Sequence, residues 1–274
     1  MPELPEVDLA RRQLEGWLKG RRLVEVTAHP GTPLWQTKPR DLARLEGHRL
    51  QAVTRHGKHL ALRFDRGLGV HLHLGMTGKV VRRRRGSPEP RFSKVRFRLA
   101  REEVHFCDAR RFGRFRLLSA KALGELPELR ALGPDAWQDL PSVAELRELL
   151  SRGRRELKVA LLDQSLLAGL GNIHAAEALW RARLSPFIRT NALTIKQVRR
   201  LRKGIHDSLA FAMRHLEVDP VAGDVLYVEE GAPNPFAVYD REGKPCRRKD
   251  RTPIKRVVQA QRSTFYCPYC QRAR

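Results

Sequence analysis

Residues 157–173 read LKVALLDQSLLAGLGNI. Apolar residues at helical spacing before Asp163 predict one helix, the run from Ile173 to Arg183 predicts a second, and the glycines between them predict a tight turn. Asn172 is expected to cap the second helix, because an Asn side chain accepts the free N–H groups of a first turn. Free backbone N–H groups at a helix start also favour an anion. This stretch therefore predicts two helices joined by a turn that binds an anionic partner.

The charge balance of the whole chain agrees with such a partner. Lys and Arg number 54 against 30 Asp and Glu, which gives a net charge of +24 and a pI near 11.1. An excess of this size indicates a polyanion, most often nucleic acid. A hydrophobic fraction of 41% over 274 residues is enough for folded cores, so a disordered chain is excluded and two domains with a small appendage are expected.

Three further features of the sequence indicate the cellular compartment of the protein. No run of about 18 apolar residues occurs, so no membrane span is expected. The opening residues Met1–Glu6 carry two acids and no apolar segment, which is unlike a signal peptide. Of the four cysteines, Cys246, Cys267 and Cys270 lie near the C-terminus, which indicates a metal site or its remnant in a reducing cytoplasm.

The hydrophobic period changes along the chain. A helix is predicted from Pro5 to Gly20, and short alternating strands up to about residue 118 predict a β-sandwich. Residues 119–154 contain several prolines and a helical stretch at Val143–Leu150. Thr194 and Gln197 form a predicted capping box at the start of a further helix.

The N-terminus offers its own chemistry. Pro2 is small enough that removal of Met1 is expected, which exposes a secondary amine. An α-amino group has a pKa of about 8, so a useful neutral fraction exists near pH 7. Such an amine can add to a sugar C1′ and form an iminium, and Glu3 is placed to give or take the proton. Many proteins begin with Met-Pro without such a role, so these two residues alone do not identify an enzyme.

Blocks of sequence from one end of the chain to the other resemble formamidopyrimidine-DNA glycosylases, in that family's order. They are MPELPEV at 1–7, GKHL at 57–60, HLGMTG at 73–78, DARRFG at 108–113, LLDQ through GLGNI at 161–173, and AQRSTFYCPYCQ at 260–271. The resemblance implies an α+β fold, with an N-terminal β-sandwich flanked by helices and a C-terminal helical domain that carries a helix-two-turns-helix and a zinc-finger-like β-hairpin. The implied domains are a catalytic β-sandwich at 1–118, a linker with a helix at 119–154, a helix-two-turns-helix domain at 155–230 and the finger at 231–274, with or without zinc.

The resemblance also implies roles for individual residues in a bifunctional DNA glycosylase and AP lyase. Pro2 is the expected nucleophile, and Glu3 the acid that helps to open the deoxyribose ring. Lys58, expected on a strand, is a proton donor or phosphate contact during elimination. Arg262 on the finger hairpin is expected to hold the phosphate next to the lesion. This chemistry requires no cofactor.

Further residues match the family's DNA contacts. Those expected to fill the space left by an extruded base are Met76, Arg110 and Phe112. Those expected to hold the backbone of the damaged strand are Lys158 and Asn172, and Arg111 is included among the DNA-binding residues. His73 has two interpretations, a DNA contact or an ordinary histidine of a buried strand.

The finger departs from the family pattern. Four-cysteine fingers read C-x2-C twice, because four thiolates complete a tetrahedron around zinc. Here Lys249 stands where the second thiolate is expected, so Cys246, Cys267 and Cys270 remain as ligands. A cation at Lys249 opposes a divalent metal, and a fourth ligand from water, His or Asp250 stays open.

The expected substrate is duplex DNA with oxidised purines, namely 8-oxoguanine and formamidopyrimidines. Leu4 favours this interpretation, because the sister enzymes of the Nei type, which prefer oxidised pyrimidines, usually have Gly there. A third interpretation is a DNA-damage sensor of the same fold without catalysis, against which Pro2, Glu3 and Lys58 speak. Residues 217–239 match poorly the family loop that closes over 8-oxoguanine. We expect a monomer, cytoplasmic and associated with a bacterial nucleoid.

Overall fold

The computed structural model describes residues 2–32, 34–216, 234–248 and 250–272. They form two compact units. The N-terminal unit runs to Ala131, and the C-terminal unit contains Leu132–His215 and the described residues from Asn234 onward. The predicted α+β class is confirmed, whereas the predicted domain limits at 118, 154 and 230 remain predictions.

The N-terminal unit is a β-sandwich with helices at its edges. Its helices are α1 (Leu4–Leu18), α2 (Ala120–Gly124) and α3 (Pro127–Arg130). Its strands are β1 (Glu25–Ala28), β2 (Leu50–His56), β3 (His59–Phe64), β4 (Leu68–His73), β5 (Lys79–Arg84), β6 (Ser93–Arg98), β7 (Glu102–Cys107) and β8 (Arg114–Ser119). Short 3-10 helices lie at Pro39–Leu45 and Asp65–Gly67. The predicted first helix is confirmed, with Pro5 in its first turn and Gly20 at a φ of 73° just after its end.

Two antiparallel four-stranded sheets form the sandwich. One has the order β1-β6-β7-β5 and the other β2-β3-β4-β8. Alternate residues of the strands, such as Leu60, Leu62 and Phe64 in β3, point into a shared core. Because β4 and β5 belong to different sheets, and so do β7 and β8, the loops 74–78 and 108–113 both pass from one sheet to the other.

The C-terminal unit is helical and ends in a hairpin. Its elements are α4 (Val143–Ser151), α5 (Leu157–Leu161), α6 (Asn172–Ala182), a 3-10 helix at Thr190–Ala192, α7 (Ile195–Leu216), β9 (Lys255–Gln259) and β10 (Arg262–Tyr266). The predicted capping box of α7 is confirmed, since the Thr194 N–H donates to Gln197 Oε1 (2.8 Å) and the Gln197 N–H to Thr194 Oγ1 (3.3 Å). Among the described residues, no helix is both long and apolar enough to cross a membrane.

Two local predictions are wrong. Gly171 caps α6, and Asn172 is the first helical residue, because its side-chain amide donates to the carbonyl of Ser263 (2.9 Å) instead of serving the helix start. Lys58 lies in the two-residue turn between β2 and β3, not on a strand. Gly57 precedes it at a φ of 56°, the left-handed region that such a tight hairpin turn needs.

A buried carboxylate joins α6 to the chain that leads into the finger. Glu177 is 1% exposed and accepts the backbone N–H groups of Ala237 (3.0 Å), Val238 (2.8 Å) and Tyr239 (3.1 Å). Hydrogen bonds to a charged acceptor are stronger than neutral ones, and a buried N–H without a partner is costly. Glu177 therefore anchors the described residues after 234 to the helical part of the unit.

The substitution Glu177→Gln is expected to lower the free energy of unfolding by about 1–3 kcal/mol. The reason is that an amide keeps one acceptor oxygen but turns an NH2 group toward an N–H donor. Urea denaturation monitored by circular dichroism measures the change. Glu148→Gln is the matched control, because the Glu148 side chain is 68% exposed. Equal stability of the two variants would contradict this account of Glu177.

Candidate functional site

The start of α1 holds two acidic side chains close together. Glu3 is the N-cap residue and is 1% exposed, and its backbone N–H donates to Glu6 Oε2 (2.9 Å). Burial, with a contribution from the charge of Glu3, raises the pKa of Glu6 to about 8. Glu6 is therefore largely protonated at neutral pH. Half-buried Pro2 lies directly before this pair, and Met1 is outside the described residues.

An ion pair ties α1 to the turn that carries Lys58. The Arg55 side chain is fully buried, and its Nε lies 3.4 Å from Asp8 Oδ1 on α1. Its Nη1 donates to the carbonyl of Gly57 (3.0 Å). The predicted catalytic residues at the N-terminus and Lys58 thus belong to elements joined by one buried contact. Neither Asp8 nor Arg55 was identified from the sequence, because nothing in their spacing indicates that they meet.

Three imidazoles pack together on β3 and β4, where the His59 ring is stacked on that of His71 and tilted against that of His73. His59 lies opposite His73 in the strand register, with ring centroids 4.8 Å apart, and its ring is 5.1 Å from that of His71. The nitrogens His59 Nδ1 and His71 Nε2 are 2.9 Å apart. Burial lowers the pKa of His59 to about 3 and those of His71 and His73 to about 4, and Arg114 adds to each effect. The histidine stack, His59, His71 and His73, is therefore neutral at pH 7.

His73 also connects the stack to the loop 74–78. Its Nδ1 accepts the N–H of Gly75 (3.1 Å), so Nδ1 carries no proton in this arrangement. Lys58 is near enough that its charge is a minor cause of the lowered pKa of His73, after burial, His71 and Arg114. The sequence signal for the stack is the His-x-His spacing of His71 and His73, which places both on one face of a strand.

The loops 74–78 and 108–113 meet backbone to backbone. A Cβ added at Gly75, which has a φ of 65°, would lie 2.6 Å from the backbone N of Gly113 and 2.6 Å from the carbonyl carbon of Phe112. Only glycine allows this approach. The contact brings together the predicted space-filling residues, half-buried Met76 on one loop and exposed Arg110 and Phe112 on the other.

Asp108 is the buried group that holds the two loops. It is 2% exposed and accepts the N–H of Gly113 (2.7 Å) and the hydroxyl of Thr77 (2.5 Å). The Thr77 oxygen in turn accepts the N–H of Arg110 (3.0 Å). Lys94 Nζ, 3.6 Å from the carboxylate, compensates its charge. Phe112 stays 54% exposed, with the Arg110 guanidinium 5.0 Å from its ring centre.

In the C-terminal unit, the two predicted backbone-binding residues meet at one carbonyl. Lys158 on α5 is fully buried and its Nζ donates to the oxygen of Ser263 (3.3 Å), to which Asn172 Nδ2 also donates (2.9 Å). Ser263 follows Arg262 in the hairpin. Lys158 and Asn172 therefore position the strand that begins with Arg262.

The hairpin turn presents Arg262. Its central residues, Ala260 and Gln261, have φ values of 46° and 61°, which is the conformation of a tight hairpin turn that usually contains Asn or Gly. Arg262 is exposed at the end of this turn. It lines a cavity of about 510 Å³ together with Asn172 and Ser263.

The predicted metal residues also come together. The ligand atoms of Cys246, Cys267 and Cys270 lie within 4.8 Å of one another and of a carboxylate oxygen of Asp250. Lys249, the position at which the family pattern has a cysteine, lies outside the described residues. These four side chains form a group that could hold a metal ion.

Comparisons with known proteins match the chain over nearly its whole length. Residues 1–115 match the family model of the formamidopyrimidine-DNA glycosylase N-terminal domain, and residues 132–218 match that of the formamidopyrimidine-DNA glycosylase H2TH domain. Formamidopyrimidine-DNA glycosylases of Chelativorans sp. (strain BNC1) and of Thermus thermophilus are both 38% identical to the chain over 99% of it, with 100% and 98% of the relatives covered. The structure of Lactococcus lactis Fpg in complex with an abasic site containing DNA superposes with a TM-score of 0.87 at 28% identity, covering 99% of this chain and 100% of that one.

The histidine stack predicts a pH dependence of stability. Imidazoles of the unfolded chain titrate near 6.5, above the folded values of about 3 and about 4, so the unfolded state binds more protons between these limits. The stabilising contribution is complete above pH 6.5 and is lost as the pH falls toward 4. We expect the free energy of unfolding to drop by at least about 2 kcal/mol between pH 7 and pH 5.

Urea denaturation at a series of pH values measures this drop. The double variant His59→Phe with His71→Leu is expected to show a shallower pH dependence, because two of the three titrating rings are removed. His29→Gln is the control, since His29 is a histidine of the same unit that lies outside the stack. An unchanged pH profile in the double variant would refute the role of the stack.

Proposed function

The chain belongs to the formamidopyrimidine-DNA glycosylase family, and on that premise we propose that it removes oxidised bases from duplex DNA and then cleaves the strand as an AP lyase. The observation that carries the proposal is the contact between the loops 74–78 and 108–113, to both of which Asp108 is hydrogen-bonded. This contact brings Met76, Arg110 and Phe112 together. An enzyme that acts on a base must take it out of the stack, and side chains of this kind occupy the space left behind.

The three side chains suit that task for different reasons. Phe112 is an exposed aromatic ring that can insert between base pairs. Met76 is an adaptable apolar group for the vacated position. Arg110 can donate hydrogen bonds to the orphaned base of the opposite strand. The buried loop contact fixes the backbone from which all three side chains project. Part of the conformational entropy of positioning these side chains is therefore lost on folding and not on DNA binding.

Pro2 is the proposed nucleophile once Met1 has been removed. Its amine nitrogen attacks C1′ of the damaged nucleotide, the N-glycosidic bond breaks, and the base leaves with the bonding electrons and takes up the proton that the amine nitrogen releases. The sugar ring opens as the iminium forms, for which Glu3 protonates the ring oxygen. Glu3 is held at the N-cap of α1 by the backbone hydrogen bond to Glu6, so its position relative to Pro2 is fixed.

Strand cleavage follows from the iminium. Loss of a C2′ proton breaks the C3′–O3′ bond, and loss of the C4′ proton in a second elimination breaks the C5′–O5′ bond. These two steps leave a one-nucleotide gap with phosphates at both ends. Lys58 is the proposed proton donor or phosphate contact for these steps. The Asp8–Arg55–Gly57 contact supports this role, because it holds the turn of Lys58 against the helix that starts at the nucleophile.

The C-terminal unit is proposed to hold the backbone of the damaged strand. Arg262 is exposed at a tight turn and can hold a phosphate through two N–H groups. Lys158 and Asn172 donate to the carbonyl of the next residue, Ser263. Arg111 in the N-terminal unit is exposed at a φ of 59° and is proposed as a further phosphate contact. His73 is assigned to shaping the loop 74–78 through Gly75, in place of a direct DNA contact.

The proposed substrates are 8-oxoguanine and formamidopyrimidines in duplex DNA. The family name and the sequence block at 1–7 support purine-derived lesions. The net charge of +24 supports salt-dependent attraction to any duplex, which suits a search for rare lesions. We propose a monomeric enzyme that acts in the cytoplasm on nucleoid DNA.

Borohydride trapping tests the reaction. Incubation with abasic-site or 8-oxoguanine duplex and borohydride is expected to yield a covalent complex, which peptide mass spectrometry assigns to Pro2. Pro2→Glu is expected to reduce trapping at least about tenfold, because a larger second residue retains Met1 and displaces the amine. Lys19→Gln removes an exposed amine of the same helix region and is expected to trap like the parent.

The outcomes separate the three interpretations of this family resemblance. No adduct with either DNA, from protein shown to begin at Pro2, would contradict an enzyme and favour a damage sensor. Excision of an oxidised pyrimidine at least about tenfold faster than 8-oxoguanine would favour Nei-type specificity. Excision of both purine lesions as the fastest reactions supports the proposal.

Phe112→Ala tests base extrusion separately from the lyase chemistry. Loss of one base–aromatic stack costs about 1–3 kcal/mol, so we expect single-turnover excision of 8-oxoguanine to fall by a factor of about 5 to 150. Trapping on abasic DNA is expected to change less, because no base has to leave. Phe92→Ala is a closely matched control, since Phe92 is 55% exposed and has Arg91 at 5.1 Å from its ring. Equal loss in both variants would contradict the assignment.

A further inference from the structure

The group of Cys246, Asp250, Cys267 and Cys270 fits the geometry of a zinc site. Zinc bond lengths of about 2.3 Å to sulfur and about 2.0 Å to oxygen place tetrahedral ligands about 3.5–3.8 Å apart. The Cys267 sulfur lies 3.5 Å from Asp250 Oδ1, and the ligand atoms of all four residues lie within 4.8 Å of one another. Little rearrangement is needed to surround one ion.

The carboxylate is oriented toward the sulfurs by its own loop. The Thr252 N–H donates to Asp250 Oδ1 (3.0 Å) and fixes the side-chain rotamer. The Cys246 N–H is bonded to the Thr252 carbonyl (2.8 Å), which brings the two ends of the loop 246–252 together. Asp250 therefore reaches the cluster although it lies one residue beyond the position of the missing thiolate.

The sulfur atoms receive hydrogen bonds that suit thiolates. Trp180 Nε1 donates to Cys246 Sγ (3.5 Å), the Cys270 N–H to Cys267 Sγ (3.5 Å), and Arg248 Nη1 to Cys270 Sγ (2.9 Å). N–H donors around a metal site orient the ligands and tune their basicity. All three cysteines thus have a donor directed at the atom that a metal would bind.

Arg248 also addresses the charge of the group. Three thiolates and a carboxylate around Zn²⁺ carry two net negative charges, and a buried charge needs compensation. The Arg248 guanidinium is held over the Trp180 ring at 4.0 Å and donates to the Trp180 carbonyl (2.7 Å), so it stays beside Cys270. The Arg248 guanidinium contacts the Cys270 sulfur and offsets the negative charge of the four side chains without being a metal ligand itself.

We propose that Cys246, Asp250, Cys267 and Cys270 bind one zinc ion, with Asp250 in place of the missing fourth thiolate. The ion serves structure, not the reaction. It joins the loop 246–252 to the residues after β10, in the cluster where Phe265 and Ile254 pack against Ala176 of α6. It thereby stabilises the hairpin that carries Arg262.

Metal analysis and cobalt spectroscopy on the full chain test this site. The parent protein is expected to retain one zinc per chain after gel filtration in metal-free buffer. Asp250→Asn is expected to weaken zinc binding at least about tenfold in competition with a chromophoric chelator, because it removes a charged ligand and keeps the shape. Asp207→Asn is the control, since Asp207 pairs with Lys203 on α7 away from the cysteines. Its zinc affinity is expected to equal that of the parent.

The absorbance of the cobalt-substituted protein reports the number of thiolate ligands. The substitution Asp250→Cys is expected to raise the sulfur-to-cobalt charge-transfer absorbance by about a third, as three thiolates become four. Zinc affinity of Asp250→Asn equal to the parent would overturn the role of Asp250. So would equal cobalt absorbance in the parent and Asp250→Cys, a result that remains decisive where Asp250→Asn does not fold. A parent protein without bound zinc would overturn the site itself.

Discussion

The carboxylate of Asp108 is the constraint on which the loops 74–78 and 108–113 of the sandwich depend. This carboxylate is buried, and its two oxygens accept the N–H of Gly113 from one loop and the hydroxyl of Thr77 from the other. A buried charge without these partners would be unstable, so the loops and the carboxylate fix one another. Gly75 and Gly113 permit the close approach that this arrangement needs. The result is a rigid base from which exposed side chains project.

The positive charge of the chain is divided between structure and surface. Arg55 is buried against Asp8, Arg202 donates to the Pro141 carbonyl (2.7 Å), and Arg248 is held between Trp180 and Cys270. Each of these guanidinium groups donates hydrogen bonds to acceptors of the protein itself. Others, such as Arg110 and Arg262, are exposed. The net charge therefore overstates the number of cations that are available to a duplex.

Local signals in the sequence were sufficient for much of the fold. The capping pair Thr194 and Gln197 and the Pro5–Gly20 helix depend on neighbours in the chain, and both were predicted correctly. Asn172 is not the N-cap that its neighbours in the chain predict, because its side-chain amide donates to the carbonyl of Ser263, 91 residues away. Strand register and loop closure likewise determine which residues contact Arg55, which rings surround His59, and how close Asp250 comes to the cysteine sulfurs. The motifs predicted which residues matter, whereas contacts across the fold determine how each is held.

The shared carbonyl of Ser263 has a consequence for conformational entropy. Confining a lysine side chain to one rotamer costs about 1.5–2 kcal/mol. Lys158 is fully buried and already directed at an oxygen, as is the amide of Asn172, so that ordering is completed during folding. For the phosphate contact proposed for Arg262, the residue that follows it, Ser263, is thus already held in place before any phosphate binds. Selectivity of such a site then resides in the position of the phosphate, and a backbone that is displaced by a fraction of a bond length gains little from it.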